Sequence, residues 1–425
     1  MNDPQSVKNP EFQVGEPSQR RWLGITWPCF AVCQWDALVL LTLLNLLCYF
    51  DRTVIFPMFP FLQEEFQISD FRLGLLGSVF MIVHSLALIP FGYWADRASK
   101  QKIMAGGVLV WSAATLLSGT LSSVKGLLAA RALVGVGQSA FSPAGTAMVS
   151  DCFPPSFRAR VQAIFNLGML VGGILGLASG GLLAQRFGWR YAFVLAALPG
   201  FLLVIPIYRL RVPIASSPES PAVWDLLKNP AYVMVLVGGT FAVFAAAAFA
   251  TWGAVFGTRY HGLSITQMSV WMAALVLTGS LAGVLFGGYV GDRLQAQWPG
   301  GRALTIGVSL LLGTPFLLVA VTTDSQSKFL VCIFLATFWL TCYHGPATAV
   351  IHDLTPPRAH SFAFALYLFV THVAGDTTAP ALIGLVADHR DLRLGMLTAV
   401  AATFLAALCF LVVTYLIRKR AIKVA

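Results

Sequence analysis

Long apolar runs, each broken by charged residues or by Pro and Gly, follow one another along nearly the whole chain. They delimit twelve candidate spans at about 36–62, 72–94, 102–122, 126–149, 159–184, 189–210, 230–258, 266–290, 303–322, 328–351, 361–387 and 394–417. A helix needs roughly 20 such residues to cross the hydrocarbon of a bilayer. An outer-membrane barrel would instead show short alternating segments, and these runs are too long for that. The stretch 211–229 interleaves Pro213, Pro218 and Pro221 with Ser216, Ser217 and Ser220, the composition of a linker. The expected organisation is therefore a tail 1–35, a six-helix bundle 36–210, a linker 211–229, a second six-helix bundle 230–417 and a tail 418–425. The expected class is an all-α polytopic membrane protein.

The two halves repeat. Gly92-Tyr-Trp-Ala-Asp96-Arg97 matches Gly288-Tyr-Val-Gly-Asp292-Arg293, and Asp151-Cys-Phe-Pro154-Pro155 matches Asp353-Leu-Thr-Pro356-Pro357. Gly181-Leu-Leu-Ala closes span five as Gly384-Leu-Val-Ala closes span eleven. The offsets are 196, 202 and 203 residues, so order is kept and spacing nearly so. A duplicated six-helix unit explains this most economically, and it is a transporter signature.

Composition agrees. Of 425 residues, 57% are hydrophobic and 11% charged, whereas an ordinary globular domain is about 25% charged. A water-soluble enzyme, a disordered chain and a disulfide-rich scaffold are excluded by the same figures. The net charge of +10 would suggest nucleic acid on a soluble protein, but here it reports topology. With the N-terminus inside, 18 of the 28 Lys and Arg fall in cytoplasmic segments and 8 on the opposite side. Both termini are expected in the cytoplasm, and the protein in the cell (inner or plasma) membrane. Seven scattered cysteines suggest inert buried thiols; no metal, cofactor or cleavable signal peptide is expected.

The two remaining basic residues, Arg52 and Arg131, lie deep in spans, as do Asp51 and Asp376. An ionised residue at a helix centre costs about 2.5–3.5 kcal/mol on insertion scales, so these four should face a polar cavity or one another. Asp51 and Arg52 point about 100° apart on one helix and cannot pair ideally, so at least one reaches toward a neighbouring span. Pro57 and Pro60 should bend or loosen the second half of that helix. Arg131 and Gln138, seven apart, share a face. His84, His344 and His372 also lie in spans. Glycines 168, 172, 176 and 180 form a stripe in span five that lets another helix approach, as static packing or as a contact that opens and closes.

The Asp96-Arg97-x-x-Lys100-x-Lys102 loop resembles the signature loop of the major facilitator superfamily, and Arg131-x-x-x-Gly135-x-Gly137 resembles its fourth-helix motif. The resemblance implies a conformational latch of Gly92, Asp96, Arg97, Asp292 and Arg293 between the halves. It also implies a role for Arg131 in substrate or proton coupling. Within that superfamily the chain is similar to the Spinster family of lysolipid and sphingolipid transporters. That similarity rests on Asn45 through Tyr49, Asp51 and Arg52 with Pro60, on Phe91 through Arg97, on Arg131 through Gly137, and on His372-Val-Ala-Gly375-Asp376 through Gly384. The family usually carries an acid where this chain has Gln138, which is neutral and cannot release a proton. Three readings stay open: coupling through Asp51 or Asp376, no coupling, or a substituted residue at 138.

The expected function is alternating-access transport of an amphiphilic lysolipid, a lysophospholipid or a sphingosine-1-phosphate-like molecule, coupled to protons. Tyr49, Asp51, Arg52, Arg131, Gln138, His372 and Asp376 form the candidate substrate and proton pathway, with Arg52 or Arg131 on the head group. Partners are the lipid-like substrate, protons and the bilayer, with no nucleic acid, and the protein is expected to be a monomer. The rivals are a proton-coupled symporter of small organic anions and an intramembrane enzyme or non-transporting sensor. The sequence carries no HExxH, Walker or GxSxG motif for the last of these.

Overall fold

The computed structural model describes residues 18–22, 25–29, 32–153, 158–210, 226–356 and 360–424. The polar punctuation between apolar runs is largely helix capping. The Ser69 and Ser123 hydroxyls accept from the Arg72 and Gly126 amides, and the Asn229 side chain from Ala231 ahead of Pro230. Ser264 and Gln267 form a reciprocal capping box.

In the first half the helices are α1 (Val32–Thr53), α2 (Phe59–Phe66), α3 (Asp70–Arg97), α4 (Lys100–Ser118), α5 (Val124–Cys152), α6 (Arg158–Phe187) and α7 (Trp189–Arg209). In the second they are α8 (Pro230–His261), α9 (Ile265–Gln297), α10 (Gly301–Thr322), α11 (Gln326–Thr341), α12 (His344–Leu354), α13 (His360–Thr371), α14 (Thr378–His389) and α15 (Leu392–Val424). Among the described residues ten stretches are long and apolar enough to cross a membrane, with α1 and α2 counted as one span. Helices α4 and α5, whose apolar character is diluted by Lys100, Lys102, Lys125 and Arg131, bring the bundle to twelve.

Three spans are interrupted. The first breaks between α1 and α2 into a 3-10 turn at Phe56–Met58, where Pro57 and Pro60 cannot donate to the helical ladder. The tenth breaks between α11 and α12, ahead of Pro346. The eleventh passes through a π-helical segment, His372–Asp376, between α13 and α14. Only the first was foreseen. Two further differences lie at the ends. The N-terminal tail contains an antiparallel hairpin, β1 (Ser18–Trp22) on β2 (Ile25–Cys29), ahead of the all-α membrane bundle. The expected tail at 418–425 continues α15 as helix to Val424. Most of the expected linker lies outside the described residues.

Each half has its own apolar core, around Leu41, Phe80, Trp111 and Phe141 in the first and around Tyr232, Leu310, Ile351 and Phe410 in the second. A third cluster crosses both halves, bringing Val54, Phe59 and Leu62 against Trp252, Phe256 and Met268. It lies at the distal end, opposite the start of α1 and the end of α15. The main contacts between halves are α3 with α14 and α6 with α9, which are equivalent under the repeat. The matched glycines sit in them: a Cβ on Gly384 would collide with the Asp70 carbonyl, and one on Gly181 would meet Ser269 Oγ at 2.9 Å. The glycine stripe of α6 behaves differently. Gly168, Gly172, Gly176 and Gly180 receive the backbone of α1 and the turn after it in the same half, so the stripe is packing within a bundle.

Polar bonds reinforce the distal closure. Arg259 of α8 donates to both carboxylate oxygens of Asp70, at 2.5 and 2.6 Å, and to Gln63 at 2.8 Å. The Asp388 carboxylate of α14 accepts the backbone N–H groups of Asp70 and Phe71 at 2.8 and 3.0 Å. Trp252 donates its indole N–H to the Pro380 carbonyl. Outside the spans, a hydrogen bond from Arg393 holds the Asp324 carboxyl below the usual carboxylate range.

Candidate functional site

The charged residues at mid-depth separate into two groups. Asp51 leaves α1 toward α4 and α5. Its Oδ1 accepts from Thr115 Oγ1 at 2.9 Å, its Oδ2 accepts from Gln138 Nε2 at 3.1 Å, and Arg131 Nη1 lies 3.9 Å from Oδ2. Asp51 and Arg131 are 2% and 1% exposed, so the ion pair is dry. Gln138 also donates from Nε2 to the Cys48 carbonyl at 3.2 Å, while the Cys48 thiol donates to Oε1 at 3.1 Å. Both partners of Nε2 can only accept, which fixes the orientation of the amide. The shared face of Arg131 and Gln138 is thus the face α5 turns to α1.

Arg52 turns the other way, toward α3. Its guanidinium carbon lies 4.5 Å from the Tyr49 ring and 5.1 Å from the Phe80 ring, and Nη2 is 3.4 Å from His84 Nε2. Arg131 approaches the same Phe80 ring at 4.9 Å, so one buried aromatic separates two guanidinium groups. No carboxylate pairs with Arg52 among the described residues. Arg52 Nε and Arg131 Nε and Nη2 are buried there without hydrogen-bond partners.

The second group comes from the π-helical segment. His372 Nδ1 and Asp376 Oδ2 are 2.5 Å apart, with side chains 30% and 20% exposed. Asp376 lies within Coulombic reach of Tyr49 across the halves, and of Tyr343 and Tyr367 in its own. His372 is similarly near His84. The four deep charges therefore do not form one network: Asp51 serves Arg131, Asp376 contacts His372, and Arg52 faces a histidine.

The expected latch is only partly described. The side chains of Asp96 and Arg97 lie outside the described residues, and Gly92 is within α3. In the second copy Asp292 bonds Arg302, which also binds Asp353, while Arg293 donates to Tyr289. All of these are in one half. Phe80 and Thr115 complete the site without a motif to announce them, whereas Cys48 falls in the Asn45-to-Tyr49 segment and His84 is one of the histidines within spans. Phe80 and His84 are four apart on α3, a spacing that stacks their rings at 5.6 Å.

The model of the Major Facilitator Superfamily matches residues 41–325 and 258–424. An MFS-type efflux pump of Mycolicibacterium smegmatis is 28% identical, over 88% of this chain and 91% of that protein. Protein spinster homolog 1 of Mus musculus is 30% identical, over 83% of this chain and 72% of that protein. Among solved structures, a bacterial homolog of the human lysosomal transporter Spinster, inward-facing and unoccupied, aligns with a TM-score of 0.82 at 21% identity. That alignment covers 92% of this chain and 99% of the other.

Proposed function

The chain belongs to the Spinster family of the major facilitator superfamily, and from that membership we propose that its cargo is an amphiphile with an anionic or zwitterionic head. A lysophospholipid or a sphingosine-1-phosphate-like molecule fits that description. The protein is a multi-pass membrane transporter and not an enzyme. The observation that carries the cargo reading is Arg52, a mid-depth guanidinium facing Tyr49, Phe80 and His84 with no carboxylate paired to it among the described residues. A cation without a bonded counter-ion is expensive in that setting, and a phosphate supplies one with charge-assisted hydrogen bonds.

For proton coupling, the chemistry favours His372 and Asp376 over Asp51. Asp51 accepts from Thr115 and Gln138 beside Arg131 and is closed off from solvent, so a proton has no open route to it. Gln138 has no proton to release. His372 and Asp376 are partly exposed and touch each other, so one proton can sit between them. Transport then follows the repeat: the distal contacts of α3 with α14 and α6 with α9 open while the proximal ends close. We place the protein in the cell membrane as a monomer with both termini cytoplasmic.

Reconstitution into liposomes with labelled lysophosphatidyl lipids and with small organic anions, with and without a pH gradient, tests this. Lysolipid movement that responds to the gradient is expected. Robust anion uptake without lysolipid movement would replace the cargo with the small-anion rival.

A further inference from the structure

Arg52 is held by an unusual set of neighbours. Two aromatic rings, Tyr49 one turn back on α1 and Phe80 on α3, lie beside its guanidinium, and Nη2 is 3.4 Å from His84 Nε2. Phe80 and His84 are 1% and 6% exposed, and their rings stack with an interplanar angle of 11°. The backbone beneath them is fixed: a Cβ on Gly135 of α5 would lie 2.7 Å from the Phe80 carbonyl and 3.1 Å from the His84 amide. These two residues therefore form a rigid step on α3.

The chemistry of the His84 contact is one-sided. A guanidinium has five N–H donors and no acceptor, so a hydrogen bond to Nε2 requires a lone pair there. An imidazolium would instead set a second cation against Arg52. Arg131 shares Phe80, and His372 also lies within Coulombic reach of His84. With these groups around it, the ring is useful to Arg52 only as the neutral tautomer.

We propose that His84 is a positioning residue, whose neutral Nε2 accepts from Arg52 and, with Phe80 and Tyr49, seats the guanidinium for the anionic head of the cargo. This rests on the reading of Arg52 as the head-group residue. His84 takes no part in proton transfer. Its ring fixes the direction of Arg52 while leaving Nε, which is buried without a partner among the described residues, free to donate.

The test compares His84→Phe, which keeps the stack on Phe80 but removes the acceptor, with His84→Gln, which restores an acceptor. Binding of lysophosphatidylglycerol to the solubilised transporter should weaken about tenfold in His84→Phe, the scale of one hydrogen bond to a charged group, and recover in His84→Gln. The pH profile of transport should be the same in all three proteins. In an Arg52→Ala background His84→Phe should have no further effect. Equal affinity in His84→Phe and wild type, or no recovery in His84→Gln, would overturn the seat. Nitrogen NMR of labelled histidine reads the same point with no cargo present. A neutral His84 with its proton on Nδ1 is expected near neutral pH; an imidazolium or an Nε2–H tautomer would overturn it.

The series is repeated with benzoate, the cargo class of the small-anion rival. If only benzoate binds and the His84 pattern persists, the lysolipid reading fails and the seat stands. If lysolipid binds without any His84 effect, the reverse holds.

Discussion

Asp51 and Arg52 are adjacent in sequence and serve different neighbours in space. Asp51 is the counter-ion of Arg131, within a set of bonds that Gln138 completes by donating to it. A glutamate at 138 would bring a second carboxyl against Asp51, and two such groups share a proton because they resist ionising together. Gln138→Glu should therefore give transport an acid dependence the wild type lacks at this position, measured as uptake against pH. Identical profiles would remove residue 138 from the proton pathway. The two arginines should also separate by phenotype. Arg131→Met strands the buried Asp51 carboxylate and should cost roughly 3 kcal/mol of stability, seen as a lowered melting temperature. Arg52→Met strands no carboxylate, so it should leave thermal stability near wild type while abolishing binding of the anionic cargo.

At the level of elements, two kinds of helix contact use the same residue. The α6 stripe receives α1 inside one bundle, whereas Gly181 and Gly384 receive helices from the opposite half. Gly172→Leu should therefore lower expression and thermal stability, because a Cβ there would collide with the Leu46 backbone and α1 has nowhere to retreat. Gly384→Leu meets a helix that moves away in the proposed alternating-access cycle. It should leave the fold intact and shift the resting population toward an open distal end, read by spin-label distances between α3 and α14. Unfolding by both substitutions alike would show that the α3–α14 contact does not separate. The π-helical segment belongs to this scale too. It inserts an extra residue into the turn that carries His372 and Asp376, four apart, and it lies just before Pro380.

For the whole molecule, closure at the distal end combines the apolar cluster with a few polar groups. Arg259 bridges from the second half to Asp70 and Gln63, and Asp388 caps the start of α3 from across the interface. These bonds must break for the distal end to open. Arg259→Gln should increase the accessibility of cysteines placed along the distal stretch of α14 to a membrane-impermeant reagent, with no change in overall fold. Unchanged accessibility would assign closure to the apolar cluster around Trp252 and Phe59 alone.

Much of this protein was determined by the order of its residues. Twelve apolar runs, a linker and three spaced repeats dictate two six-helix halves, because a spanning backbone in hydrocarbon must satisfy its own hydrogen bonds. The depth of Asp51, Arg52, Arg131 and Asp376 singles them out as a candidate pathway, since such charges are costly in hydrocarbon. The prolines at 57 and 60 foretell the break in the first span. What the sequence could not decide is who faces whom. Helical periodicity puts residues on faces, but which helix lies opposite depends on packing between segments far apart in the chain. Tertiary structure alone turns Arg52 away from Asp51 toward His84 and Phe80, and turns the glycine stripe inward to α1. It also introduces the π-helical turn at His372–Asp376, a local register change without a pattern of its own. The sum of the deep charges was readable in one dimension, whereas their pairing required three.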